Sequence, residues 1–174
     1  LDPSSIQESS LRVIVDANNG TGALADPILL DRLGVDYEIL NHEPNGRFAH
    51  DPEPVKGNLS QIIEAMTEGN YDIGFVQDAD ADRLVILDET GHFIGEDYSL
   101  GLCVDYILQE STADSKPVVV NLSTSQVISH IANSYNAELH YTKIGETHVT
   151  QGIRDLNAVV GGEGNGGVIY PKVG

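Results

Sequence analysis

The chain has 174 residues, of which 27 are Asp or Glu and 9 are Lys or Arg, so its formal net charge is −18. This acidity argues against nucleic acid and anionic membranes as partners, because both repel a negatively charged surface. No apolar run approaches the length of a membrane span. The single cysteine, Cys103, lies in an apolar helical stretch and is predicted to be a core residue. One cysteine cannot form a disulfide within the chain, which fits a reducing, cytoplasmic location.

Apolar runs predict strands and helices that alternate along the chain. The predicted strands are 11–16, 37–40, 72–77, 84–87, 118–120, 138–141, 158–160 and 168–170. The predicted helices are 24–33, 59–66 (capped by Asn58), 96–108, 123–135 (capped within 123–125) and 146–156. The stretch 42–57 contains three prolines and is predicted to be a long surface loop.

The alternation predicts an α/β fold with two consecutive three-layer domains and mixed sheets. The small, polar stretch 111–115 is the predicted boundary, which gives domains 1–112 and 113–174. The second domain is expected to be incomplete.

Three aspartates follow the third predicted strand at every second position: Asp78, Asp80 and Asp82. In an extended loop, side chains with this spacing point the same way. Two unit charges about 4 Å apart repel by about 4 kcal/mol at an effective dielectric constant of about 20. A divalent cation relieves this repulsion, and carboxylate oxygens suit Mg²⁺ or Ca²⁺. The loop therefore predicts a metal site at the carboxyl end of a strand.

Three other interpretations of this loop are considered beside a metal site. A solvated acidic loop is common in so acidic a chain. An EF-hand would use Glu89 as its twelfth residue, but its sixth position requires Gly and holds Arg83, and the flanks are strand-like. A phospho-aspartate hydrolase also places Asp-x-Asp after a strand and remains an alternative.

Two glycine-rich turns resemble nucleotide-binding fingerprints. The first, containing Gly20 and Gly22, lies between a strand and a helix, as in dinucleotide-binding domains. However, the next strand ends without the acidic residue that would bind a ribose. The second, 162–167, precedes a strand-like run and therefore lacks the helix that would receive a pyrophosphate. Its Glu163 and Asn165 instead suit the hydroxyl groups of a sugar.

Three stretches resemble the α-D-phosphohexomutases, the family of phosphoglucomutase, phosphomannomutase and phosphoglucosamine mutase. Residues 77–98 resemble the metal-binding loop, with Ala79 where the family has Gly or Pro. Residues 162–166 resemble the sugar-recognition loop, with Asn165 in place of Ser, and 142–148 resemble a third element near the substrate. Gln126 stands where the family often has Arg. The resemblance covers 13–171 and corresponds to the second domain and most of the third.

This resemblance implies transfer of phosphate between O1 and O6 of a hexose through a phosphoserine enzyme. Asp78, Asp80 and Asp82 would hold Mg²⁺, and Arg83 would stabilise the phosphoryl group as the catalytic residue. The implied substrate-binding residues are Gly162, Glu163, Gly164, Asn165, Lys143 and His148.

The implied substrate is glucose, mannose or glucosamine phosphate. The implied partners are the missing first and last domains of the same enzyme, and no serine loop of the family's kind occurs in this chain. The chain alone is therefore expected to be inactive. A non-catalytic acidic metal-binding domain and a dinucleotide-binding domain are the alternatives from other classes.

Overall fold

The computed structural model of the protein describes residues 3–173, in which strands and helices alternate as predicted. The strands are β1 (Arg12–Asp16), β2 (Asp36–Leu40), β3 (Ile73–Gln77), β4 (Leu84–Leu87), β5 (Val118–Asn121), β6 (Leu139–Thr142), β7 (Val160–Glu163) and β8 (Gly167–Ile169). The helices are α1 (Ser4–Glu8), α2 (Gly22–Leu33), α3 (Ser60–Glu68), α4 (Glu96–Glu110), α5 (Gln126–Ser134) and α6 (Glu146–Leu156), with a 3₁₀ turn at Lys56–Asn58. Only the short α1 was not predicted. None of the helices within 3–173 combines the length and apolar character that a membrane span requires.

The chain forms two compact units, Leu1–Gly95 and Glu96–Gly174. The first contains a four-stranded sheet in the order β2-β1-β3-β4, and the second a sheet in the order β6-β5-β7-β8. In each sheet three strands are parallel and the last is antiparallel. The predicted α/β class with mixed sheets is confirmed. The second unit was expected to be incomplete, yet its sheet has the same number and order of strands as the first.

The boundary between the units lies after Gly95, so the prediction of domains 1–112 and 113–174 is wrong. Helix α4 packs against α5, β7 and β8 of the second unit. Its buried residues Leu100, Val104 and Leu108 share a core with Val118 and Val120 of β5. The polar stretch chosen as the boundary is only the loop between α4 and β5.

Each sheet is covered on both faces, as expected for sheets whose parallel strands are joined by helices. In the first unit, Ile14 of β1 packs with Ile62 and Met66 of α3. Val13 and Val15 point to the opposite face and pack with Leu30 of α2. Alternate residues of one strand thus enter two different cores.

The second unit repeats this arrangement. Val118 and Val120 of β5 pack against Leu100 and Ile128. Val119 faces the other side and packs against Ile153 of α6.

Three local predictions have different outcomes. Ser125 is the N-cap of α5, as predicted, because its side chain accepts a hydrogen bond from Val127 N. Asn58 does not cap α3, which begins at Ser60; its side chain instead donates to Glu53 O. Cys103 is exposed and was wrongly assigned to the core, because the buried face of α4 carries Leu100, Val104 and Ile107 instead.

Candidate active site

The three aspartates lie in the hairpin loop that joins β3 to the antiparallel β4. The loop is a tight turn in which Ala81 N donates to Asp78 O (3.2 Å) and Ala81 has a φ of 62°. The backbone is therefore not extended here, and the alternation argument from the sequence gave the wrong reason for convergence. The left-handed residue reverses the chain and brings the carboxylates to one side.

The carboxylates of Asp78, Asp80 and Asp82 each offer one oxygen, and these oxygens lie within 4.8 Å of one another. Asp78 is 2% exposed, whereas the other two side chains face solvent. This spacing makes the three aspartates candidate ligands that would hold one divalent cation. The donor set is all carboxylate, which is what a hard divalent cation prefers.

Arg83 is the partner of the buried carboxylate. Its Nε lies 2.6 Å from Asp78 Oδ2, its backbone N donates to Asp78 Oδ1 (3.2 Å), and its Nε lies 3.7 Å from Asp82 Oδ1. The guanidinium thus partly neutralises the cluster. Its predicted catalytic role beside a phosphoryl group remains a prediction.

The first and last aspartates of the loop have pKa values shifted in opposite directions. Burial works against ionisation of Asp78, but the hydrogen bonds and charge of Arg83 outweigh it and hold the pKa of Asp78 below its usual value. Burial, followed by the neighbouring Asp78 and Asp80 carboxylates, raises the pKa of Asp82 to about 6. Arg83 balances only part of the negative charge of the three carboxylates, and a bound cation would balance the rest.

The start of α2 holds the metal loop from one side. Thr21 N donates to Ala79 O (3.0 Å), and a Cβ added to Gly20 would lie 2.4 Å from the same oxygen. A Cβ on Gly22 would lie 1.8 Å from Gln77 Oε1. Close packing against the loop therefore accounts for both glycines, and the dinucleotide interpretation loses its main support.

The long loop after β2 is anchored by a buried ion pair that the sequence did not reveal. His50 Nε2 lies 3.1 Å from Oδ2 of Asp16, which is fully buried at the end of β1. His50 Nδ1 lies 2.8 Å from Asp51 O. Both partners accept hydrogen bonds, so the protonated imidazole, which has an N–H on each ring nitrogen, satisfies both contacts. The hydrogen bond to Asp16 is the main cause that raises the pKa of His50.

This pair predicts a pH-dependent part of the stability of the chain. Because the folded-state pKa of His50 is raised, the stabilisation is complete below about pH 6.5 and is lost as pH rises through the folded-state value. We expect a loss of about 1 kcal/mol, the scale of the net contribution of one intramolecular hydrogen bond. Urea unfolding at several pH values should show this loss in the unaltered chain and not in His50→Asn. The exposed His42→Asn is the control and should keep it; an unchanged pH dependence in His50→Asn would contradict the prediction.

In the second unit, Glu163 ends β7 and has a fixed orientation. Its Oε1 accepts hydrogen bonds from Asn121 Nδ2 (2.5 Å) and from Gly145 N (2.9 Å). Asn121 is 2% exposed, and its Oδ1 accepts from Ser123 N, Ser123 Oγ and Thr124 Oγ1. Asn121 was missed from the sequence, although its place at the carboxyl end of a parallel strand was a usable signal.

Close packing accounts for the two predicted glycines beside Glu163. A Cβ on Gly162 would lie 2.3 Å from Gly167 O, and one on Gly164 would lie 2.4 Å from Asp97 Oδ1. Asn165 is exposed, and its Oδ1 accepts from Gly167 N (3.2 Å). The close packing leaves Glu163 and Asn165 as the polar side chains of this turn.

Lys143 and His148 are exposed in the segment between β6 and the first turn of α6. This segment is tied to Glu163 through the amide of Gly145, whose φ of 119° suits glycine. Two basic side chains are therefore carried by the loop that contacts the Glu163 carboxylate. Their predicted contact with substrate stays a prediction.

Taken together, the structure is an α/β protein with a cluster of three carboxylates on a hairpin of one unit and a polar cluster around Glu163 on a hairpin of the other. The model for the phosphoglucomutase/phosphomannomutase α/β/α domain II matches residues 1–91, and the model for domain III matches 95–173. The chain belongs to the phosphoglucomutase/phosphomannomutase family.

Similar proteins agree with this assignment. A probable phosphoglucosamine mutase of Methanopyrus kandleri is 37% identical over 174 residues, which cover 99% of this chain and 38% of that protein. The structure of a family protein from Burkholderia thailandensis has a TM-score of 0.84 at 24% identity, covering 97% of this chain and 38% of that one. N-acetylphosphoglucosamine mutase of Aspergillus fumigatus, solved with GlcNAc-6P and magnesium, has a TM-score of 0.66 at 18% identity and covers 98% and 39%. The chain thus spans well under half the length of these relatives.

Proposed function

We propose that this chain supplies the metal loop and the sugar-recognition loop of a phosphohexomutase that interconverts hexose 1-phosphate and hexose 6-phosphate. The observation that carries this proposal is the convergence of Asp78, Asp80 and Asp82 within 4.8 Å, on the hairpin of a domain II unit. Membership of the family supports the reaction class. The phosphoserine and the domains outside this chain belong to the proposal.

The three aspartates would hold Mg²⁺, a proposal supported by the magnesium in the Aspergillus fumigatus complex. When bound, the ion neutralises negative charge on a transferring phosphoryl group. Arg83 keeps the buried Asp78 ionised and in position, through the contact of 2.6 Å. Its remaining guanidinium nitrogens would face the same charge and stabilise it electrostatically.

Glu163 would bind sugar hydroxyls. Asn121 and Gly145 N hold its Oε1, so the second oxygen is presented in a defined direction. Asn165, Lys143 and His148 would complete the site, with the two basic side chains near the substrate phosphate. The relatives are named for glucosamine and N-acetylglucosamine phosphates, so we propose the class of hexose phosphates rather than one sugar. A cytoplasmic location stays a prediction.

Activity assays test this function directly. The longer protein that contains this chain should interconvert hexose 1- and 6-phosphates, and chelation of Mg²⁺ should abolish turnover. This chain alone should show no turnover above background, because the proposed phosphoserine lies outside it. A coupled assay measures both. Turnover by the chain alone, or chelator-insensitive turnover by the longer protein, would contradict the proposal.

A further inference from the structure

A buried acidic side chain lies beneath the metal loop and is not explained by the proposed chemistry. Asp26 of α2 is 7% exposed, and its Oδ1 accepts a hydrogen bond from Gln77 Nε2 (3.0 Å). Gln77 is the last residue of β3 and directly precedes Asp78. Asp26 therefore contacts the residue from which the metal loop departs.

The other oxygens of this pair have no hydrogen-bond partner. Asp26 Oδ2 and Gln77 Oε1 are both buried and both unpaired within the described part of the chain. They are also close together, since a Cβ on Gly22 would lie 3.0 Å from the first and 1.8 Å from the second. Two neighbouring acceptors in a buried site repel each other unless a donor lies between them.

One proton resolves the arrangement. A protonated carboxylic acid is a donor through one oxygen and an acceptor through the other. A side-chain amide has the same pair of functions, so an acid and an amide can form a ring closed by two hydrogen bonds. The bond from Gln77 Nε2 to Asp26 Oδ1 is one side of such a ring, and a proton on Asp26 Oδ2 supplies the other.

We infer that Asp26 is a neutral carboxylic acid that pairs with the Gln77 amide through two hydrogen bonds and thereby positions the start of the metal loop. Gly22 makes room for the pair, because any side chain there would enter it. Only the expected effect of this pair on Mg²⁺ affinity rests on the proposed metal site. The protonation of Asp26 stands on the pair itself.

The electrostatic surroundings agree with a neutral acid. Burial raises the pKa of Asp26, and the hydrogen bond from Gln77 lowers it by less. The charged side chains on α2, on the elements packed against it (α1, β1 and β2) and directly after Gln77 are Glu8, Arg12, Asp16, Asp31, Arg32, Asp36, Glu38 and Asp78. Among the residues that the structure describes, none of them forms an ion pair with Asp26.

Carbon-13 NMR of the Asp26 carboxyl in this chain tests the protonation state. At about pH 6 an ordinary aspartic acid is ionised, whereas Asp26 should give the chemical shift of a protonated acid. The exposed Asp36 serves as the ionised reference. A carboxylate shift for Asp26 at this pH would overturn the inference and would leave an internal water as the donor to both oxygens.

Two variants test the positioning role by calorimetric Mg²⁺ titration. Asp26→Asn replaces the acid with an amide that can form the same two hydrogen bonds, so Mg²⁺ affinity should stay close to that of the unaltered chain. Asp26→Leu has similar size without either bond, and Mg²⁺ affinity should fall about tenfold or more, as for other residues that orient metal ligands. Equal losses in the two variants would overturn the inference.

A third variant separates this inference from the metal proposal. Asp80→Ala should remove Mg²⁺ binding while leaving the protonated Asp26 signal in place. If the unaltered chain binds no Mg²⁺, the metal proposal fails, yet the Asp26 signal still decides the protonation. If Asp26→Leu does not fold, the NMR shift and the Asp26→Asn variant give the answer.

Discussion

Replacing Asp80 with Ala is expected to lower the Mg²⁺ affinity of this chain by more than about a hundredfold. Residues that only orient metal ligands already contribute about 10–100-fold, and Asp80 would be a ligand itself. Its side chain is exposed, so the substitution should leave the fold unchanged. Calorimetry on both proteins gives the comparison, with far-UV circular dichroism as the check on folding. Even the unaltered chain should bind weakly, because water must replace a ligand that the proposed phosphoserine would provide.

Glu89→Ala is the matched control for this experiment. Glu89 is an exposed acidic residue at the other end of β4, and it would be the twelfth residue of an EF-hand loop. The variant loses the same charge as Asp80→Ala and should bind Mg²⁺ as the unaltered chain does. Equal affinities for Asp80→Ala and the unaltered chain would rule out the proposed site. A loss in Glu89→Ala would instead point to general attraction of cations by the acidic surface.

The second large effect is expected at Glu163, measured in the longer protein that contains this chain. Glu163→Gln keeps an oxygen to accept from Asn121 and Gly145 N, so the turn should hold its shape. The second oxygen becomes an amide nitrogen and can no longer accept a sugar hydroxyl proton. Since hydrogen bonds to charged groups contribute about 1.5–3 kcal/mol, kcat/KM should fall about tenfold or more.

Mg²⁺ affinity and phosphorylation of the enzyme should be unaffected by Glu163→Gln, because Glu163 belongs to the second unit and the aspartates to the first. Glu138→Gln, an exposed change just before β6 at the opposite edge of the sheet, is the control and should keep the parental rate. The assignment of Glu163 to sugar binding fails if its Gln variant turns over every hexose phosphate at the parental rate. It fails equally if that variant loses Mg²⁺ binding.

The sequence predicted the fold well because strand and helix patterns are local. The apolar run of β3 and the 3.6-residue spacing of α3 can be recognised within a few residues. The domain boundary could not be read in this way. Whether α4 belongs to the first or the second unit depends on contacts with β7 and β8, more than fifty residues later in the chain.

The sequence identified candidate ligand residues but not the residues that hold them in place. Asp78 stands out as the first of three aspartates at every second position, and Glu163 stands out as a carboxylate between two glycines. Asn121, His50 and Asp26 do not stand out, because each acts through a partner that is distant in sequence. A single Asn at the end of a valine strand becomes informative only when the hydrogen bond to Glu163 is known. Such long-range polar pairs leave no periodic pattern in the chain.

The two sheets have the same strand order, and each carries a candidate site residue at the equivalent position. Asp78 follows β3 and Glu163 ends β7, so each carboxylate marks the start of the hairpin between the third and fourth strands of its own sheet. Each hairpin rests on a separate hydrophobic core. Under the proposed function, one hairpin would serve the cation and the other the carbohydrate. Because the cores are separate, substitutions in the Glu163 hairpin can change its side chains without altering the packing that supports the aspartate hairpin.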